Sequence, residues 1–432
     1  MSSKIDIQVH HITRVEGHGN IRVRAADGVI EQVEWQVPEA PRFFEAMVRG
    51  RSFEDIQTIV SRVCGICSVT HSLAALKAIE QAMQIRVSEQ TDKLRILTHY
   101  GEQLESHSLH VGYLVAPDLL GVKSVVPLVA SHPAAVKTII RIHRLGNAWM
   151  ELLGGRKTHP VSFRVGGFGR LPSAAELKGL KGDLEKIVPD LTALAELVLS
   201  LAGKLPAFNR PTEYVALVDP GQYTFYHGAI GSSDIPDTVS VQDFESVVNE
   251  YVSPQSTAKW ARWHRDAYAV GALARYNLNG DHLLPLAKAT AAKLGLPKGC
   301  TNPYLNSVVQ VVECVQIVEH SLQLLDELLR TGIRAETPRP RPRAGTGAGA
   351  VEAPRGVLFH RYTFDADGIC TAANLSIPTN QNHANIQKDF EALVPQLLER
   401  PETEIRLALE MLVRAYDPCI SCSTHHLSIE FV

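Results

Sequence analysis

The sequence contains no uninterrupted apolar run of about 18 residues, the length a membrane-spanning helix needs, so no membrane span is expected. Its first residues, MSSKIDIQVHH, lack the apolar core of a secretory signal, and a cytoplasmic location is the expectation. Neither sign of charge is in excess: 43 Lys and Arg face 46 Asp and Glu, which leaves −3. That balance provides neither a basic surface for nucleic acid nor an acidic solvating tail. Seven cysteines in 432 residues are too few for a disulfide scaffold, and the number is odd. No G-x-G-x-x-G opens a helix after a strand, because Gly167-Phe168-Gly169 is a different pattern. No segment repeats internally. What is present is an ordinary globular composition, 45% apolar and 21% charged, with enough apolar surface to offset chain entropy. At about 150 residues per domain, the length allows about three units or one large core.

The N-terminal residues 4–37 read as strands. Ile21, Val23 and Ala25 alternate with Arg22 and Arg24, Asp27-Gly28 marks a tight turn, and Val33, Trp35 and Val37 alternate after it. The centre reads as helices. Apolar residues recur at Leu305, Val308, Val312, Val315, Val318, Leu322, Leu325 and Leu329, one stripe of a long helix. Weaker stripes cover about 53–84, 91–113, 134–153, 173–203 and 282–294. Ser173 and Glu176 have the spacing of a capping box. The Pro/Arg/Gly-rich segment 337–356 breaks the pattern and reads as a linker loop. Beyond it, 357–377 reads as a hairpin around Asp367-Gly368, followed by helices near 384–399 and 402–415. The expected class is α+β, mostly helical, with a long central helical region (about 53–334) and small peripheral sheets. A single domain over 1–432 is expected, with a β region at about 1–40 and a C-terminal region at 357–425.

Four of the seven cysteines form two C-x-x-C pairs at opposite ends of the chain, Cys64/Cys67 and Cys419/Cys422. Cys300, Cys314 and Cys370 stand alone and read as inert core. In a reducing compartment such pairs bind metal or do redox chemistry more often than they form bridges. A histidine follows each pair closely, His71 after the first and His425 after the second. One turn can aim both thiolates of a pair at one ion, and Gly65 permits close approach. A structural four-cysteine zinc site fits the residue types, but zinc ribbons separate their pairs by roughly 15–20 residues, far less than here. A dithiol redox motif would need a thioredoxin-like βαβ context, which is absent around Cys64. A site joining both ends of the chain would help to define the whole fold.

Several blocks together resemble the large, catalytic subunit of the nickel–iron hydrogenases. They are TRVEGHG (13–19), RVCGICSVTH (62–71), SHSLH (106–110), GGRKTHPV (154–161), VGGF (165–168), APRG (353–356), IPTNQN (377–382) and DPCISCSTH (417–425), and they span the chain nearly end to end. The length and the lack of large insertions look most like the soluble NAD(P)-linked and sulfhydrogenase alpha-subunit group. The resemblance implies an active site where the N- and C-terminal segments meet. Cys64 and Cys419 would be terminal nickel ligands. Cys67 and Cys422 would bridge nickel to an iron carrying cyanide and carbon monoxide; soft thiolates suit both metals. His71 would hydrogen-bond the bridging Cys67. Splitting hydrogen heterolytically releases a proton, so a base must stand beside the metal; the implied carriers are Cys419, then Glu16. Arg355, following Pro354, would face one cyanide and Thr379 the other, with Asp417 pairing Arg355. Glu45, His425 and the carbonyl of Leu375 would hold magnesium, with water completing its shell.

On the residues alone, Glu16 reads as a solvated strand end, Glu45 as a helix-surface charge and Arg355 as one arginine of a linker. His107, His110 and His159 read either as buried, satisfied histidines or as a proton relay, and they stay out of the expected catalytic set. The activity implied is reversible cleavage of hydrogen to protons and electrons. Since all paired cysteines are committed, the electrons would leave through an iron–sulfur small subunit and flavin-carrying diaphorase subunits, across an exposed apolar face. Residues 426–432 would be a tail removed by a maturation protease once nickel-insertion factors have acted. The alternatives are a zinc-stabilised structural subunit, a hydrogen-sensing regulatory hydrogenase and a metal-free, quinone-reductase-type relative.

Overall fold

The computed structural model describes residues 4–425. The N-terminal sheet is an antiparallel meander of β1 (Lys4–Val9), β2 (Asn20–Ala26) and β3 (Val29–Gln36). The β2–β3 turn falls at Asp27-Gly28, where both residues have positive φ, the conformation that turn requires. Alternation buries Ile21, Val23, Ala25 and Trp35.

The stripe over 53–84 is two helices, not one. Separated from α1 (Phe44–Val48) by a short turn, α2 (Phe53–Val60) is capped by Ser52, and α3 (Ser68–Met83) begins directly after Cys67. The C-x-x-C occupies the break. The N–H groups of Ile66 and Cys67 point at Cys64 Sγ (3.3 and 3.5 Å) rather than at a helical carbonyl. The next stripe is α4 (Glu89–Leu109), which continues into one π-helical stretch at His110–Val115. Then come α5 (Pro133–Gly154) and α6 (Ala174–Leu201), the latter opened by the expected Ser173–Glu176 capping box.

After α6 the chain adds a small sheet in which β4 (Glu213–Val218) lies between β5 (Ala229–Ser232) and β6 (Tyr268–Ala269). It continues through α7 (Ala272–Asn279), α8 (Pro285–Lys293) and α9 (Asn306–Thr331). Helix α4 packs on α5, α5 on α6, α6 on α9 and α9 on α4, so four helices close a bundle around one apolar core. The helical stretch Pro303–Thr331 is long and apolar enough to cross a membrane, but 78% of its most apolar window is buried inside the molecule.

The linker expectation for 337–356 describes 337–344, which have no helix or strand, but fails beyond them. Residues Gly345–Ala353 form β7, the first strand of an antiparallel sheet with β8 (Gly356–Phe364) and β9 (Cys370–Ser376). Ala353 pairs with Gly356, so Pro354 and Arg355 form a two-residue hairpin tip. The glycines that suggested flexibility serve close packing instead. A Cβ at Gly345, Gly347 or Gly349 would strike the α3 backbone at Ala82, Ala78 and Ala74 respectively, so the bare strand lies directly on α3. Finally α10 (Pro378–Leu397) and α11 (Glu402–Ala415) return the chain to the N-terminal sheet, and one helical turn (Ile420–Ser423) ends the described chain.

Candidate metal centre

Glu16 forms a parallel bridge with Cys419, and the Ile420 N–H donates to the Glu16 carbonyl (3.0 Å), so the two ends of the chain meet. The Ser421 N–H donates to Glu16 Oε2 (3.0 Å), which puts the half-buried Glu16 side chain on the cysteine turn. That contact brings the two C-x-x-C pairs together. Cys64 and Cys419 sulfurs lie 3.5 Å apart, Cys67 and Cys422 3.6 Å, and Cys419 and Cys422 2.8 Å. All four are buried free thiols whose sulfurs lie within 4.8 Å of one another. A tetrahedral ion with metal–sulfur bonds of about 2.3 Å spaces its sulfurs by roughly 3.8 Å, so the cluster has the size of a ligand set.

Electrostatics favours a cation there. Hydrogen bonds from Cys419, Cys422 and Cys67 hold the Cys64 thiol well below the usual thiol range, whereas burial pushes that of Cys422 well above it. Four buried sulfurs cannot all ionise without a compensating charge, and a soft metal supplies it.

Arg355 stands over this cluster. Its Nε donates to the Asp417 carbonyl (2.7 Å) and its Nη2 to Asp417 Oδ1 (3.1 Å). Asp417 itself is held at a positive φ of 49° and takes a further bond from Gln310 Nε2 (3.3 Å). Burial alone would weaken the guanidinium charge, but Asp417 and then the sulfurs of Cys419, Cys67 and Cys64 strengthen it. Its Nη1 is buried without a partner, a donor held open toward a ligand. Thr379, in the first turn of α10, accepts the Cys419 N–H at Oγ1 (3.0 Å), so its hydroxyl proton remains available to donate. These open donors fit acceptor ligands on an iron. A closed zinc–thiolate site would leave Arg355 Nη1 unsatisfied.

The expected imidazole–sulfur bond between His71 and Cys67 is not formed. His71 is buried with Nδ1 3.1 Å from His360 Nε2, and only its backbone N–H bonds to the Cys67 carbonyl (3.1 Å). Burial drives the His71 pKa down to about 3, so the ring is neutral and its Nδ1 and His360 Nε2 can share one proton. The three residues expected for magnesium do converge. The Leu375 N–H donates to Glu45 Oε1 (2.8 Å), His425 Nε2 lies 2.7 Å from the Leu375 carbonyl, and Glu45 Oε1 lies 3.5 Å from His425 Nε2. A carboxylate and a carbonyl are hard donors, the kind such a cation takes. Pro354 contributes its carbonyl to Arg275 Nη2 (3.2 Å).

His107 and His110 are buried and engaged, His107 with Glu313 (2.8 Å) and His110 with the Arg414 carbonyl (2.6 Å) and Gln310. His159 bonds the Ser61 carbonyl (2.8 Å). Cys300, Cys314 and Cys370 lie outside the cluster.

The sequence reading missed the carboxylates that support the centre. Glu102, fully buried on α4, accepts the N–H groups of Val69 (2.6 Å) and Thr70 (3.0 Å) and so caps the helix that starts at Cys67. Glu313 and Glu352 bind Arg275. Glu313 did carry a signal: one acid inside the apolar run 308–318 must find a partner if that helix is buried.

The sequence profile of the nickel-dependent hydrogenases matches residues 42–139 and 222–425. The chain is 32% identical over 426 residues to the alpha subunit of sulfhydrogenase 1 of Pyrococcus furiosus, covering 98% of each. It is 29% identical over 477 residues to the beta subunit of the NAD-reducing hydrogenase HoxS of Cupriavidus necator, covering 99% of this chain and 96% of that one. Among solved structures, an NAD+-reducing NiFe hydrogenase in its H2-reduced state superposes with a TM-score of 0.87 at 28% identity, over 98% of this chain and 100% of that one. With the blocks at both ends matched and their cysteines gathered at one point, the chain belongs to the nickel-dependent hydrogenase family as a large subunit, an oxidoreductase acting on dihydrogen.

Proposed function

We propose that this chain is the catalytic subunit of a nickel–iron hydrogenase that cleaves hydrogen reversibly and heterolytically. The observation that carries the reading is the cluster of four buried thiols beneath an arginine whose Nη1 is left open. Cys64 and Cys419 would hold nickel. Cys67 and Cys422 would bridge it to iron, and soft sulfur suits both ions. A nickel–iron pair bound there supplies the redox-active Lewis acid at which the hydrogen bond is split. Arg355 Nη1 and the Thr379 hydroxyl would orient the iron's cyanide ligands, with carbon monoxide as the third diatomic. Cys419 Sγ would take the released proton, and the Glu16 carboxylate, tied to the same turn, would carry it outward. Glu45, the Leu375 carbonyl and His425 would hold magnesium.

Electrons would leave through an iron–sulfur small subunit and, as the NAD-reducing relative suggests, through diaphorase subunits to NAD(P). Phe43 and Met47, both exposed beside the residues that flank the tail, supply part of an apolar docking face. A cytoplasmic location accords with this reading. The maturation tail proposed at 426–432, with its protease and nickel-insertion factors, lies outside the described residues.

Infrared spectroscopy and metal analysis of the purified complex test the reading. Cyanide and carbonyl stretches, with nickel and iron near one each per chain, are the expected result; zinc alone would replace it with the structural reading. Intact mass of the active protein tests the tail, since a full-length mass rejects cleavage.

A further inference from the structure

We infer that Arg275 is a positioning residue for the centre, setting the hairpin tip that carries Arg355 and so aiming the Arg355 side chain. The inference rests on the nickel–iron reading and extends it to a residue outside the short sequence blocks that carried the resemblance.

Arg275 lies on α7, wholly buried. A guanidinium has five N–H donors, and here all five find acceptors. Nε and one Nη2 hydrogen take the two oxygens of Glu313 (2.6 and 2.7 Å). One Nη1 hydrogen takes Glu352 Oε2 (2.9 Å). The remaining two go to successive backbone carbonyls, Ala353 (3.0 Å, from Nη1) and Pro354 (3.2 Å, from Nη2). Those carbonyls stand at the end of β7 and at the first residue of the hairpin tip, immediately before Arg355. A carbonyl left without a donor in so buried a turn is destabilising, so the guanidinium holds the tip in place.

The rest of the surroundings makes the grip rigid. Burial alone would raise the Glu313 carboxyl, but Arg275's charge and hydrogen bonds hold it down at about 2, so this anchor stays charged. Tyr223 donates its hydroxyl to Glu313 (2.6 Å), and the Leu217 N–H donates to Glu352 (2.7 Å). On the far side, Gly356 has φ 133°, and a Cβ there would strike Val270 and the Gly271 nitrogen, so the tip lies flush on the segment entering α7. Asn306 joins the same helix to the end of α11: its Oδ1 accepts the Leu273 N–H (2.9 Å) and its Nδ2 donates to the Ala415 carbonyl (2.9 Å). Arg355 is thus located twice, by Asp417 at its guanidinium and by Arg275 at its backbone. Lysine cannot substitute at position 275, because three donors on a flexible stem cannot reach two carboxylates and two carbonyls together.

The test uses the purified holoenzyme complex. In Arg275→Lys, nickel and iron stay at wild-type content, because the cysteines hold them, while the iron's cyanide bands shift. kcat falls roughly a hundred-fold with little change in KM for hydrogen, the size of effect a displacement of about 1 Å can have. In an Arg355→Lys background the second substitution moves the bands no further, since both act through one side chain. Unmoved bands in a metal-loaded Arg275→Lys protein overturn the inference, and so does a shift that simply adds in the double variant. If Arg275→Lys does not fold, Glu352→Gln decides: it keeps the shape and loosens Nη1, so a smaller band shift supports the inference and an unchanged spectrum overturns it. A wild-type spectrum without cyanide bands would instead fail the nickel–iron reading itself.

Discussion

The two pairs share the pattern C-x-x-C-S with a histidine close behind and are opposite in how they are held. The Cys64/Cys67 pair sits on scaffold. Cys67 directly precedes α3, whose first turn is capped by Glu102 and whose long face is covered by the glycine-lined strand β7. The Cys419/Cys422 pair sits on a tail, and what fixes it comes from far away in the chain. Glu16 binds Ile420 and Ser421, Thr379 binds the Cys419 N–H, and Asn380 Nδ2 donates to the Ser423 carbonyl (3.0 Å). Arg42 binds the Ser421 carbonyl, and its N–H donates to the Thr424 carbonyl (2.8 Å). One pair is therefore preorganised by its own supersecondary structure. The other is delivered by closure of the N-terminal segment over the C-terminus, and closure of so long a loop costs entropy that those bonds must offset.

The sharpest way to break this comparison is to remove a sulfur from the tail side. Cys419→Ser should take nickel content to background and abolish hydrogen–deuterium exchange, although the scaffold pair is untouched. Retained exchange would remove Cys419 from the centre. The next largest effect should come from the clasp that draws the head over the tail. Asp118 binds Arg14 through Oδ1 and Arg414 through both oxygens (3.0 Å to Nη2 and 2.7 Å to Nε), and Arg414 Nη1 donates to the Thr13 carbonyl (3.1 Å). Asp118→Ala leaves a buried Arg414 with only Glu410 (3.4 Å) as a carboxylate partner and should cost about 3 kcal/mol, read as a fall in Tm of the metal-free chain. A change within a few tenths of a kcal/mol would show that the clasp does not hold the ends.

On the scaffold side a smaller loss is expected. Gly347→Ala would push a Cβ into the α3 backbone at Ala78 and Ala82, both of which are unable to yield. The cost of such overpacking is about 1–3 kcal/mol, measured by denaturant midpoint. An unchanged midpoint would mean that β7 does not rest on α3.

The same asymmetry decided what was legible in the sequence. Local signals survived: the Asp27-Gly28 turn, the Ser173 capping box and the long α9 stripe are each written within a few residues. Both cysteine pairs were visible, and so was their meeting, once the TRVEGHG and DPCISCSTH blocks were taken together. What failed was non-local. Alternating glycines in 345–349 read as a linker because their purpose, contact with α3, lies more than 260 residues away. The family resemblance implied a bond from His71 to Cys67, whereas His71 Nδ1 faces His360 Nε2 from β8. Arg275 gave no sign, since a single arginine in a short helix states nothing until Glu313, Glu352 and the hairpin tip surround it.

The effect that is smallest per step of the experiment concerns the seam between the two halves, and it is read per pH unit. Glu105 on α4 is nearly buried, with Oε2 unpartnered and His143 Nδ1 3.5 Å from its other oxygen. Burial pushes its carboxyl up to about 7, Arg355 pulls it down, and the sulfur of Cys64 and then Asp417 raise it, so it senses both the scaffold pair and the tail. In the unfolded chain the same carboxyl titrates near 4.3. Between those values the folded state holds a proton that the unfolded state has lost, so stability falls as pH rises. The contribution is complete below about 4.3 and gone above about 7, with a slope of at most about 1.4 kcal/mol per pH unit. Glu105→Gln stays neutral throughout and should flatten that slope in the metal-free chain, measured by denaturant midpoints between pH 5 and 8. A variant with the wild-type slope would show that Glu105 is already ionised, and that the seam carries its charge without help from burial.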